Sequence, residues 1–199
     1  MSKPAIVGAW VGLSFLCSCQ HAENNGFFTP CDPVWTGGTL TTSNTYCSGC
    51  TFTGGQAAID DDSGTAATVT FDEATTGTAV LRATSPGNAV LPFPSNAGAN
   101  LTFVDQQRSN PYIGVYVDLY RGGVFQDRIY GNGSFAPDSS VSNGTYSFLD
   151  GCSRDCALEK QHVGSSATVE YDSIEIGIAR EESGVVQVVK VNDFCVEAY

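Results

Sequence analysis

Residues Tyr112 to Tyr120 (Y-I-G-V-Y-V-D-L-Y) alternate without a break. Successive side chains of a strand point to opposite faces, so Ile113, Val115, Val117 and Leu119 share one face. Tyr112, Tyr116 and Tyr120 share the other, with Gly114 and Asp118. A period of two over this length excludes a helix and demands strand partners. Gly122-Gly123 supplies a hairpin turn, and Val124 to Tyr130 runs back beside the first strand.

The same pattern recurs along the chain. Ala67, Val69 and Phe71 alternate with Thr68 and Thr70, and Asn100 to Asp105 and Thr145 to Leu149 are shorter examples. Ser166 to Ile178 carries Val169 and Tyr171, then Ile174, Ile176 and Ile178; its phase slips at Asp172-Ser173, which predicts a β-bulge. Val185 to Tyr199 slips in the same way at Asn192-Asp193, between Val189/Val191 and Phe194/Val196. Asn132-Gly133, Asn143-Gly144 and Asp150-Gly151 mark turns. About eight strands with turn-punctuated spacing, and no amphipathic helix, predict an all-β, two-sheet β-sandwich of jelly-roll type. With 22 Gly, 11% aromatic and only 15% charged residues, the composition is that of a β-rich secreted domain. No internal repeat or second domain is visible, and residues 39–199 form one unit.

A formal net charge of −12 argues against nucleic acid as a partner, because phosphate binding needs Lys and Arg. It equally argues against charge-driven binding to anionic membranes, and it suits solubility and cations.

Lys3 followed by the uncharged run Ala5 to Leu16 is too short to span a bilayer and reads as a signal peptide over residues 1–18. Leu16-Cys17-Ser18-Cys19 resembles a bacterial lipobox. That resemblance implies cleavage before Cys19 and lipid on Cys19; residues 19–38, polar and turn-rich at both ends, read as a tether. Ordinary cleavage near Ser18 or Ala22, giving a soluble secreted product, is the alternative.

Of 8 cysteines, Cys31, Cys47, Cys50, Cys152, Cys156 and Cys195 then remain. Export places them in an oxidising compartment, where fifteen pairings are open. Local closure favours Cys47–Cys50 and Cys152–Cys156, leaving Cys31–Cys195 across the domain ends. A Cys₄ zinc site from C-x₂-C and C-x₃-C is the alternative, against which export argues. The acidic setting of Cys47 and Cys50 stabilises no thiolate, which argues against a redox pair.

The stretch C-S-G-C-T-F-T-G-G-Q-A-A-I-D-D-D-S-G-T (Cys47 to Thr65) resembles the early segment of discoidin-like, galactose-binding-like jelly rolls, and more specifically modules in surface proteins of Bacteroidetes bacteria. Y-D-S-I-E-I-G-I and V-V-K-V-N-D-F-C-V are similar to the closing pattern of those modules. Asp61 stands where that family commonly has Gly, and Ala66-Ala67 where a Trp commonly follows the Thr. Cysteines bracketing the domain, as Cys31 and Cys195 do, match the same family's habit. The resemblance implies a binding domain, and a structural Ca²⁺ near the chain ends.

Asp60, Asp61 and Asp62 are candidate Ca²⁺ ligands, joined by Asp193 or Glu197 from the last strand. Strand geometry sends consecutive carboxylates to opposite faces, so the three converge only on a loop; Gly55 and Gly64 allow one. The other reading is a solvated acidic turn. Tyr112, Tyr116 and Tyr120 repeat roughly every 13 Å along a strand and form a candidate surface for stacking sugars. The competing reading packs them under other residues. His21 falls in the tether, and His162 has no recognisable metal partner. Neither G-x-S-x-G nor H-E-x-x-H occurs, so no catalysis is expected. Asn100-Leu101-Thr102, Asn132-Gly133-Ser134 and Asn143-Gly144-Thr145 are sequons that would mark exposed turns in a eukaryotic secreted protein.

The expectation is an exported, lipid-anchored surface sandwich, at an outer membrane or cell surface or secreted. It would bind carbohydrate or extracellular matrix without catalysis. A structural, self-associating surface or filament subunit, and a secreted glycan-active enzyme, are the alternatives.

Overall fold

The structure, a computed structural model, describes residues 35–60, 62, 64–106, 113–132, 156–180, 184 and 186–198. The signal and lipidation readings, the Cys31 and Cys152 readings, Asp61, Tyr112 and the Thr145–Leu149 strand lie outside the described residues.

Among the described residues ten strands form two five-stranded sheets, and all their pairings are antiparallel. The first sheet contains β1 (Thr39–Cys47), β4 (Gly77–Thr84), β6 (Ile113–Arg121), β7 (Val124–Asn132) and β9 (Ser173–Arg180), in the order β1-β4-β9-β6-β7. The second contains β2 (Cys50–Thr53), β3 (Ala67–Phe71), β5 (Ser95–Gln106), β8 (Cys156–Ala167) and β10 (Gln187–Ala198), in the order β2-β3-β10-β5-β8. The expected two-sheet β-sandwich is the architecture. Among the described residues helix is confined to two short 3-10 turns, Gly55–Ala58 and Pro86–Asn88.

Alternation explains the core. The isoleucines of β9 face inward, and cross-strand register aligns Leu81–Ile176–Val117, Ala83–Ile174–Leu119 and Ala79–Ile178–Val115 into three rows. All nine side chains are fully buried. Phe71, Val69, Val189, Leu101, Phe103 and Phe194 answer from the second sheet. Each large apolar side chain removed from water contributes about 1.5–3 kcal/mol, before the entropy cost of ordering it.

The register of β10 against β5 shifts between Val191 and Asp193, so Asn192 is the bulge that the phase slip predicts. The slip at Asp172-Ser173 has a different cause. β8 ends at Ala167 and β9 starts at Ser173, so residues 168–172 are the crossing between the two sheets rather than a bulged strand. Asn100 lies within β5, buried and bonded to His162, so its sequon marks no exposed turn.

Cys47 and Cys50 are disulfide-bonded across the β1–β2 turn, as expected. Cys195 is also disulfide-bonded, to a partner outside the described residues.

Candidate ligand-binding end of the sandwich

The register of β9 places Thr84 and Tyr120 both opposite Ser173. The end of β4, the end of β6 and the start of β9 therefore meet at one end of the sandwich. Ser95, paired with Ala167 and Ala198, brings the second sheet to the same end. Three connections gather there: residues 85–94, the β6–β7 turn at 122–123, and residues 168–172.

Two neighbouring residues tie them together. The Asp172 N–H donates to Tyr120 O at 2.9 Å, and its carbonyl accepts from Ser85 N at 2.9 Å. Its carboxylate accepts from Gly122 N at 2.7 Å and from the Ser173 hydroxyl at 2.7 Å. The Tyr171 carbonyl accepts from Leu91 N at 2.9 Å, and its phenol bonds Ser95 Oγ at 2.8 Å. Burial pushes the Tyr171 phenol up to about 12. Leu91 is buried between these bonds, which leaves its neighbours outside. Val90, Phe93, Val124 and Phe125 are between 42% and 64% exposed. Arg121, on the hairpin, pairs with Glu170 from the crossing.

Of the tyrosine stripe, Tyr116 and Tyr120 lie on the outer face of the first sheet, next to this end. Tyr116 is only 8% exposed. Its hydroxyl donates to Glu175 Oε1 at 3.0 Å, and the Arg128 guanidinium sits 4.3 Å from its ring centroid. Arg128 also donates twice to Asp118, at 2.6 and 2.8 Å. Those bonds hold the guanidinium above its ordinary value. Arg82 covers the Tyr120 ring at 3.7 Å and pairs with Glu175. Burial pushes the Tyr120 phenol up to about 12, and drives Tyr116 further in the same direction. Gly177 makes this packing possible, because a Cβ there would fall inside the Tyr116 ring. Tyr116 and Tyr120 are therefore engaged within the fold. Tyr116 presents no free ring face to a sugar, and Tyr120 meets the surface only beside Phe125, edge-on at 5.9 Å.

Asp60, Asp62, Gly64 and Thr65 lie outside any strand, between the 3-10 turn Gly55–Ala58 and β3. Thr65 Oγ1 lies 3.0 Å from Ala57 O, 2.9 and 3.0 Å from the two Asp60 carboxylate oxygens, and 2.8 Å from Asp62 O. A hydroxyl has one proton, yet four acceptors face it. Asp60 Oδ1 also accepts from Asp62 N at 3.1 Å and Asp62 O from Thr65 N at 2.9 Å, so this is a hydrogen-bonded acidic turn whose oxygens are of the kind a hard cation such as Ca²⁺ takes. Asp62 turns its own side chain to Gly64 N at 2.9 Å. Asp193 stands on β10 opposite Asn100. Among the described residues no group of three or more His, Cys, Asp and Glu side chains is placed to hold a metal. A cation here would rest on Asp60, Thr65 and the main-chain carbonyls of Ala57 and Asp62.

His162 is bonded to Asn100 at 3.0 Å, with no acid or nucleophile as its partner in that bond. Asp118 and Glu175, the buried carboxylates nearest the stripe, are each engaged by an arginine. Phe93, Asp172, Arg82, Glu175 and Arg128 were not singled out from sequence. The signal for Glu175 was present: I-E-I-G-I puts Glu175 and Gly177 outward wherever the isoleucines point in.

No family model matches the chain, and no curated protein matches it. Among solved structures it is similar to the family 32 module from Clostridium perfringens NanJ in complex with galactose, at 12% identity and a TM-score of 0.39, covering 82% of this chain and 95% of that one. A second module of that family, from a Clostridium perfringens family 31 glycoside hydrolase, gives 6% identity and a TM-score of 0.38, covering 81% and 92%. A Ruminococcus gnavus family 29 fucosidase in complex with fucose gives 11% and 0.38, covering 86% of this chain but 27% of the fucosidase. These likenesses are loose, and the sandwich is read from its own strand pairing.

Proposed function

We propose that this chain is a non-catalytic carbohydrate-binding domain that holds glycan at the end where the three connections meet. The observation that carries the reading is the clamping of those connections by Tyr171 and Asp172 beneath exposed Val90, Phe93 and Val124. A sugar ring has apolar C–H faces and a rim of hydroxyls. An exposed phenyl ring suits the faces, and the Arg121–Glu170 pair offers a donor and an acceptor to the rim. Loops already fixed by main-chain hydrogen bonds lose little freedom on binding.

In the same reading the protein is exported, carries lipid on Cys19 and displays this end at the cell surface. The Asp60–Thr65 loop holds a structural Ca²⁺ through Asp60, Thr65 and the carbonyls of Ala57 and Asp62. The cation ties the β2–β3 connection and takes no part in recognition. Melting with calcium and with chelator checks this: wild type melts lower in chelator, and Asp60→Asn removes the difference. Identical wild-type melts would exclude the ion.

Recognition is tested by glycan array followed by calorimetry on the best ligand. Phe93→Ala is expected to weaken binding by about tenfold, the equivalent of about 1.4 kcal/mol. Arg121→Ala weakens it as well. Val186→Ser, an exposed position before β10 at the opposite end, leaves it unchanged. Binding that survives both Phe93→Ala and Arg121→Ala would reject this end as the site.

A further inference from the structure

A sandwich has four edge strands, and each is a row of main-chain donors and acceptors that another strand can complete. Among the described strands the edges are β1 and β7 in the first sheet, and β2 and β8 in the second. β7 carries Asp127 and Arg128, β8 carries Glu159, Lys160 and His162, and β2 has only 4 residues. β1 is different. Its 9 residues, T-L-T-T-S-N-T-Y-C, include no charge and no proline. No residue from Thr41 to Tyr46 is buried, and Tyr46 is 54% exposed.

Which main-chain groups of β1 face outward is shown by Gln56. Its side chain accepts from Leu40 N and donates to Leu40 O, each at 3.2 Å, occupying one outward position as a neighbouring strand would. Strand geometry repeats every second residue, so Thr42 N–H and C=O face the same way. Among the described residues nothing occupies them. The register against β4 then breaks between Ser43 and Tyr46, leaving Asn44 and Thr45 outside the ladder.

We propose that β1 is the seam of a homodimer, pairing antiparallel with β1 of a second copy across a two-fold axis and extending the first sheet through both. The occupant follows from charge. Two copies with a net charge of −12 repel each other over most of their surfaces. Paired strands lie about 4.8 Å apart, inside the roughly 8 Å screening length of physiological salt, so charge on the seam itself would be felt almost unscreened. Among the described strands β1 is the long edge without charge. Its threonines also suit cross-strand Thr–Thr pairs, and a shared two-fold brings the same row to itself. With Leu40 capped by Gln56 and the irregularity at Asn44–Thr45, the seam is short. The dimer is therefore one that forms and dissociates with concentration, not a permanent one.

The test uses the full chain in mild detergent, with sedimentation and amide hydrogen exchange over about a hundredfold range of concentration. Wild type is expected to pass from monomer to dimer, with exchange over residues 41–46 slowing as it does. Thr42→Pro removes an outward donor that β4 does not use, which an edge strand tolerates. Asn44→Glu sets like charges across the seam without touching the core. Each is expected to stay monomeric while keeping the wild-type circular dichroism. A wild-type monomer throughout, or a dimer retained by either folded variant, would overturn the proposal.

Discussion

Gly177 decides how the outer face of the first sheet is built. Tyr116 lies across it, so that its hydroxyl reaches Glu175 and Arg128 closes over its ring. Gly177→Ala drives a methyl group into that ring, and overpacking of this kind typically costs about 1–3 kcal/mol. The expected result is a lower midpoint in denaturant with an unchanged slope; a midpoint equal to wild type would show that the ring shifts freely. The phenols give a second prediction. Tyr120 and Tyr171 are raised to about 12 from the ordinary value of 10.0, chiefly by burial. A phenol with a raised folded-state value stabilises the fold fully below pH 10.0, and that contribution is lost as pH climbs toward 12. Denaturant melts between those values should show stability falling, and phenolate absorbance should lag behind that of the unfolded chain. Sequence placed these tyrosines on one face, but not under their arginines. Alternation assigns a side to each residue of β6; which residues of β4, β7 and β9 stand opposite depends on register, which no single strand contains.

The elements read most readily from sequence were those with long unbroken alternation. The hairpin β6–β7, strand β3 and the bulge in β10 follow from the period of two and its slips. β1 was missed because its exposed edge leaves almost no apolar phase: only Leu40 and Cys47 are buried in it. Residues 168–172 look like strand in sequence because Val169 and Tyr171 keep the alternation while the main chain crosses between sheets. The Cys47–Cys50 bridge is a local element with a modest expected effect. Its two cysteines are only 3 apart in sequence, so the chain-entropy model assigns it about 2 kcal/mol. The paired replacement Cys47→Ser and Cys50→Ser should therefore lower stability by about that amount and leave the strand circular dichroism in place. Loss of the fold would mean that the β1–β2 turn organises both sheets.

At the scale of the whole molecule, the geometry of the proposed seam constrains what the proposed binding end can accomplish. Antiparallel pairing about a two-fold perpendicular to the sheet reverses one copy relative to the other. The connection ends, with Phe93 and Val124, then face in opposite directions. Such a dimer gains little from grasping one flat glycan surface with both copies, because avidity is lost when geometry forbids simultaneous engagement. It bridges two surfaces instead. Beads coated with the glycan that binds best should therefore be agglutinated by wild type at concentrations where it dimerises. Asn44→Glu should bind the same beads as single particles, since its change is on β1 and its binding end is intact. Phe93→Ala should need about tenfold more protein both to bind the beads and to agglutinate them. If Asn44→Glu agglutinates as well as wild type while remaining a monomer, bridging comes from a second glycan site on one copy, and the seam has no part in it.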